Sequence, residues 1–109
     1  MSRASQRKGR GGELELCRIL NDAGFPVSPG APVSYGQTPD LTGLPGIHIE
    51  VKRTERLNLN TAMAQAQRDA LFFQDGAPAV FHRQNRRPWM VTMKLTDWLE
   101  IYRRGGGAR

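Results

Sequence analysis

Three side chains of this 109-residue sequence have the types and spacing to do chemistry together: Asp40, then nine residues, then Glu50-Val51-Lys52. Residues two apart on a strand project to one face, so Glu50 and Lys52 share a face. A turn centred near Pro45 folds Asp40 back opposite Glu50, and opposed residues of an antiparallel pair have Cα atoms about 4.5–5.5 Å apart. Like charges placed opposite one another repel. A hard divalent cation offsets that repulsion, and Mg²⁺ suits one or two carboxylates, several waters and a phosphate oxygen. Such an ion lowers the pKa of a coordinated water and polarises a phosphoryl group. Lys52 beside it would position or deprotonate the water, or neutralise charge building on the phosphate. An exposed hairpin with an ordinary ion pair between Lys52 and one acid has the same spacing. Glu13 lies three, four and seven residues before Leu16, Cys17 and Leu20, on the apolar face of a helix. It is either a favourable acid in the first turn or a fourth member of the site. Glu15 shares a face with Arg18 and Asp22 and reads as solvent-exposed.

The elements that must position these residues follow from periodicity and turn chemistry. Residues 1–11 read as a flexible basic arm. Residues 12–24 read as a helix, with Leu16, Cys17, Leu20 and Ala23 at helical spacing and Gly24 as its stop. Phe25-Pro26-Val27 is extended, 28–39 is a Ser/Pro/Gly-rich loop, and Asp40 to Thr42 is a short strand. After the turn at 43–46, residues 47–53 alternate: Ile47, Ile49 and Val51 on one face, His48, Glu50 and Lys52 on the other. A second helix spans 59–75, with Met63, Ala66, Ala70 and Phe73 as its stripe and Gly76 as its end. Strands follow at 78–82 and 89–94, joined by a basic connection. Thr96 caps a last helix whose apolar contacts are Trp98, Leu99 and Tyr102. This order implies an α/β fold, a mixed five-stranded sheet flanked by helices, in one domain over 12–104 with a flexible tail at 105–109.

The net charge of +6 and sequence pI near 10.4 point to a polyanionic partner, most often nucleic acid. The basic residues cluster: Arg7, Lys8 and Arg10 before the first helix, Arg53 and Arg56 after Lys52, and Arg83, Arg86 and Arg87 between the last strands. They are candidate phosphate contacts, and singly each cluster also reads as a solvated end or turn. No apolar run reaches the ~18 residues of a membrane span, and no secretory leader is evident, so the expected compartment is the cytoplasm. The single cysteine, Cys17, reads as core packing. His48 reads as a polar residue of the sheet edge. His82 reads as a surface residue or a phosphate contact, and Trp89 and Trp98 as core.

Pro39-Asp40, a gap, then Glu50-Val51-Lys52 resembles the PD-(D/E)xK nuclease superfamily. Lys8-Gly9, three residues, then Glu13-Leu14-Glu15-Leu16, with a helix ending in Ala23-Gly24-Phe25, resembles the archaeal-type Holliday junction resolvases. Gly76-Ala77-Pro78-Ala79-Val80, a polar turn and Trp89 continue that likeness. The resemblance implies a restriction-endonuclease-like core and a metal-dependent homodimer that nicks paired strands of branched DNA. The catalytic residues it implies are Glu13, Asp40, Glu50 and Lys52. Asp40, Glu50 and Glu13 would hold one or two Mg²⁺ ions, with Mn²⁺ able to substitute. Ser34 falls nearest the family's loop serine, and Gln67 would support the water or a phosphate. Leu57, Leu59 and Phe72 are apolar residues available for dimerisation. Two other functions fit the sequence: a nicking, restriction-like or repair nuclease acting on other duplex DNA, and a non-catalytic DNA-binding module on the same fold.

Overall fold

Strand Ile47–Arg53 lies at the centre of the sheet, paired on both sides. In a computed structural model, residues 3–30 and 38–107 are described, with the side chains of 11–30 and 38–105. Ser34, and the side chains of Arg7, Lys8 and Arg10, lie outside those described. Among the described residues five strands occur in the order β1 (Ser28–Pro29), β2 (Leu41–Thr42), β3 (Ile47–Arg53), β4 (Ala77–Arg83) and β5 (Met90–Met93), and they neighbour one another in that order. All pairings are antiparallel except β3 with β4, which runs parallel from Ile47↔Ala77 to Arg53↔Arg83. A parallel pair needs a crossover, and helix α2 (Leu59–Phe73) supplies it. Its start is capped by Asn58, whose side chain accepts the Thr61 N–H at 3.0 Å. Its end turns on Gln74 at φ 50°.

Two apolar layers hold the sheet. Leu16 of helix α1 (Arg3–Asp22) packs with Val27, Leu41, Ile49, Val51, Ala79 and Phe81. On the other face Ala62 and Ala66 of α2 lie against Val80. The alternation of β3 thus turns its apolar residues towards α1 and its polar residues, His48, Glu50 and Lys52, under α2.

Several boundaries differ from the sequence reading. The first helix extends back to Arg3, through residues read as an arm: the arginines, Lys8, Gln6 and Ala4 are good helix formers, and Gly9, Gly11 and Gly12 cost only about 1 kcal/mol each. Pairing onto β2 begins at Ser28, one residue beyond the extended piece placed at 25–27. Lys94, not Thr96, is the N-cap of α3 (Leu95–Tyr102), and it makes no side-chain cap bond. Arg103–Gly107 continue α3 as a π-helical turn. The expected core role of Trp98 is also corrected: no α3 residue is buried, and Trp98 is 46% exposed, stacked on Tyr102.

Candidate active site

Antiparallel pairing of Leu41 with Ile49 sets the register of the β2–β3 hairpin. Extended by one residue, it puts Asp40 opposite Glu50. The chain clamps Asp40 at two points. Its carbonyl accepts the Gly30 N–H at 3.4 Å, and its Oδ2 accepts the Val51 N–H at 2.7 Å. The carboxylate thereby takes over a backbone donor where β2 runs out. Glu50, 4% exposed, has Oε1 at 3.2 Å from His48 Nε2 and Oε2 at 4.0 Å from Lys52 Nζ. Lys52 in turn donates to Gln65 Oε1 at 2.9 Å. From α2, the Asp69 carboxyl also hydrogen-bonds Glu50. Half-buried Glu13 on α1 is close enough for its charge to act on Asp40.

The electrostatics match this crowding. Burial, then the negative charge of Glu50, and further that of Glu13, push Asp40 from 3.8 up to about 7, against the Val51 hydrogen bond and the charge of Lys52. Burial also raises Glu50, but the His48 hydrogen bond and the Lys52 charge outweigh it, and Glu50 lies below the ordinary carboxylate range. Asp69 is raised by burial and by the charge of Glu50. For His48, burial opposes the charged form, yet hydrogen bonds to Glu50 and Asp75 lift it to about 9.

The remaining expected residues divide clearly. Gln67 is exposed and lines a shallow cleft with Leu71 and Lys94, away from Lys52. Gln65, two positions earlier, is the residue that reaches Lys52. Arg53 is spent on structure: it pairs with Glu55 at 3.3 Å and donates to Asn85 at 2.5 Å, tying β3 to the β4–β5 connection. Arg83 pairs with Glu15 at 3.0 Å, and the Trp89 indole donates to the same oxygen at 2.7 Å. Glu15, read as solvent-exposed, thus anchors α1 to the far end of the sheet. Arg56, Arg86 and Arg87 are exposed. Arg87 borders a cleft of about 430 Å³ that also involves Thr54, Leu57 and His82. Leu57 packs on the smaller core, whereas Leu59 and Phe72 are exposed. His48 is not at an edge but 1% exposed in the central strand. Gln65, Asp69 and Asp75 were absent from the sequence reading; their only signal was that Gln65 and Asp69 stand one helical turn apart beside the buried Ala62, Ala66 and Ala70.

The donor set fits a hard cation. Asp40, Glu50 and Glu13 offer only carboxylate oxygens, and burial first, then the charges of Glu50 and Glu13, raise the pKa of Asp40. His48, Glu50 and Asp69 also offer ligand atoms within 4.8 Å of one another. Both nitrogens of His48 are already committed, to Glu50 and to Asp75.

No family model matches the chain, and no curated protein matches it in sequence. Among solved structures it is similar to that of Archaeoglobus fulgidus Hjc, a Holliday junction resolvase from an archaeal hyperthermophile. The identity is 28%, over 78% of this chain and 76% of that one, with a TM-score of 0.57. By its architecture and by this kinship, the chain has the resolvase-like nuclease fold.

Proposed function

We propose that this protein is a divalent-metal-dependent, structure-selective DNA endonuclease, resolvase-like in its substrate, acting on branched DNA in the cytoplasm. The observation that carries the reading is the convergence of Asp40, Glu50 and Lys52, with Glu13 acting on Asp40, on a fold similar to that of a Holliday junction resolvase. Asp40, Glu50 and Glu13 would hold Mg²⁺, or Mn²⁺ in its place. The ion would supply a water of lowered pKa and polarise the scissile phosphate. Lys52, steadied by Gln65, sits beside Glu50 with an ammonium able to orient the attacking water or take up charge on the phosphate. Arg56, Arg86 and Arg87 are exposed, so they suit phosphate contacts. Among the described residues no helix is long and apolar enough to cross a membrane.

The protein would act as a homodimer, since symmetric nicking needs two sites. Leu95, Trp98, Ile101 and Tyr102 on α3 are exposed apolar residues that a second copy would cover.

Single-turnover cleavage of four-way, nicked and linear duplex DNA tests this reading. Mg²⁺-dependent cutting of the four-way junction, lost in Lys52→Ala, is expected. No metal-dependent cleavage of any substrate would defeat it, and equal cutting of linear and branched DNA would replace the substrate with duplex DNA in general.

A further inference from the structure

Behind Glu50, on the side away from Lys52, the imidazole of His48 is enclosed on three sides. Its Nδ1 lies 2.9 Å from both oxygens of Asp75, its Nε2 lies 3.2 Å from Glu50 Oε1, and its ring stacks on Phe73 with centroids 6.2 Å apart and planes 13° apart. Asp75 is set in place by the backbone: Gln74 at φ 50° and Gly76 at φ 133° flank it, and a Cβ on Gly76 would collide with the Gly46 backbone. Both nitrogens face carboxylates, and ionised carboxylates only accept hydrogen bonds, so the ring donates from both. Asp75, His48 and Glu50 form a chain from the end of α2 through β3 into the site. Asp69 meets Glu50 from α2 and Lys52 meets it from the next outward position on β3.

A glutamate has free rotation at each side-chain bond and two equivalent oxygens. To serve as a metal ligand it must present one oxygen in one direction, and groups behind a ligand commonly impose this. We propose that His48, oriented by Asp75, is a positioning residue that holds Glu50 Oε1 so that Oε2 alone is presented to the cation. The proposal rests on the reading of Glu50 as a metal ligand given above.

The test uses Ca²⁺ binding to the full chain by calorimetry, which needs no turnover, beside the Mg²⁺ dependence of single-turnover cleavage. His48→Asn keeps an amide towards Asp75 but falls short of Glu50; His48→Gln can place an amide nitrogen where Nε2 stood. His48→Asn should weaken Ca²⁺ binding and raise the half-saturating Mg²⁺ by about 10-fold, with DNA affinity little changed. His48→Gln should recover most of both. Asp75→Ala, on a half-buried residue outside the helix, should weaken Ca²⁺ several-fold and serves if the His48 variants fail to fold. Equal losses in His48→Asn and His48→Gln at equal melting temperature, or no loss in Asp75→Ala, would overturn the inference. So would nitrogen coupling to Mn²⁺ in pulsed electron paramagnetic resonance, because Nε2 would then be a ligand and not a donor to Glu50. Glu50→Gln separates the two levels: if it binds Ca²⁺ normally, the metal-site reading itself falls, whereas its failure beside an unaffected His48→Asn removes only the role of His48.

Discussion

Replacing Asp40 by Asn should stabilise the metal-free protein while abolishing cleavage. Asn keeps an oxygen to accept the Val51 N–H, which spans 2.7 Å, but removes the charge that Glu50 and Glu13 oppose. Asp40 titrates at about 7 in place of 3.8. At about 1.4 kcal/mol per tenfold change in proton affinity, its ionisation costs the fold roughly 4 kcal/mol above neutral pH. Side-chain relaxation and screening take up part of that, so a gain of about 2 kcal/mol at pH 8 is expected, or about 8 °C in melting temperature for a domain near this size. The sign follows from linkage. The folded state binds the Asp40 proton more tightly than the unfolded chain does. Stability associated with it is therefore complete below 3.8 and is lost as pH rises through about 7. The stability difference between Asp40→Asn and wild type should be near zero at pH 3.5–4, grow between pH 4 and 7, and level off above. Calorimetric or fluorescence melts of both proteins in chelator, from pH 4 to 8.5, measure it. Mg²⁺ should then raise the melting temperature of the wild type and leave that of the variant almost unchanged. A variant no more stable than wild type at pH 8, or stabilised equally at pH 4 and pH 8, would refute the claim that burial and the neighbouring carboxylates oppose the ionised form of Asp40.

Gln65→Ala should lower the single-turnover cleavage rate by about 10-fold, through loss of the 2.9 Å bond that steadies Lys52, while Gln67→Ala leaves the rate unchanged. Gly12→Ala would put a Cβ 2.5 Å from Arg53 Cβ, an atom next to the backbone that cannot swing away. The variant should lose about 1–3 kcal/mol in denaturant melts and more activity than stability, because α1 also carries Glu13. Trp98→Asp, on the exposed face of α3, should convert a dimer to a monomer in light scattering without unfolding it, since Trp98 contributes no buried core.

The legible part of this molecule is the part written in local pattern. Alternation over 47–53 and the turn residues at 43–46 were enough to bring Asp40 opposite Glu50 and to put Lys52 beside it, because a hairpin's register is set within a dozen residues. What required contacts between distant segments was not legible. His48 was read as an edge residue because strand order is not encoded in the strand itself; only pairing to both β2 and β4 makes β3 central and buries the ring. Asp75, 27 residues from its partner, gives no sign in the sequence that it faces a histidine. On α2 the apolar stripe was found, but the helix edge that overhangs β3 was not. Gln65 and Gln67 differ by about 200° around the helix axis, and only docking decides which of them sees Lys52. Trp98 failed for another reason: an aromatic at helical spacing looks alike whether it covers its own core or awaits another surface.

The distribution of charge connects these observations. The chain carries sixteen Lys and Arg against ten acids, yet five of those acids, Glu13, Asp40, Glu50, Asp69 and Asp75, gather around one patch of the sheet. Simple solubility would spread them out, and simple DNA binding would exclude them. Part of the excess is settled within the protein, since His48 answers Asp75 and Glu50, and Asp69 is raised towards its neutral form. The part that is not settled is concentrated on Asp40, whose carboxylate is held by the Val51 N–H and whose carbonyl is held by the Gly30 N–H, so that it cannot retreat from its neighbours. A polyanion drawn in by the surrounding arginines would be repelled at that point. A divalent cation held there removes the repulsion between the carboxylates and the repulsion towards the phosphate together, which gives a physical reason why a basic protein would keep an acidic centre.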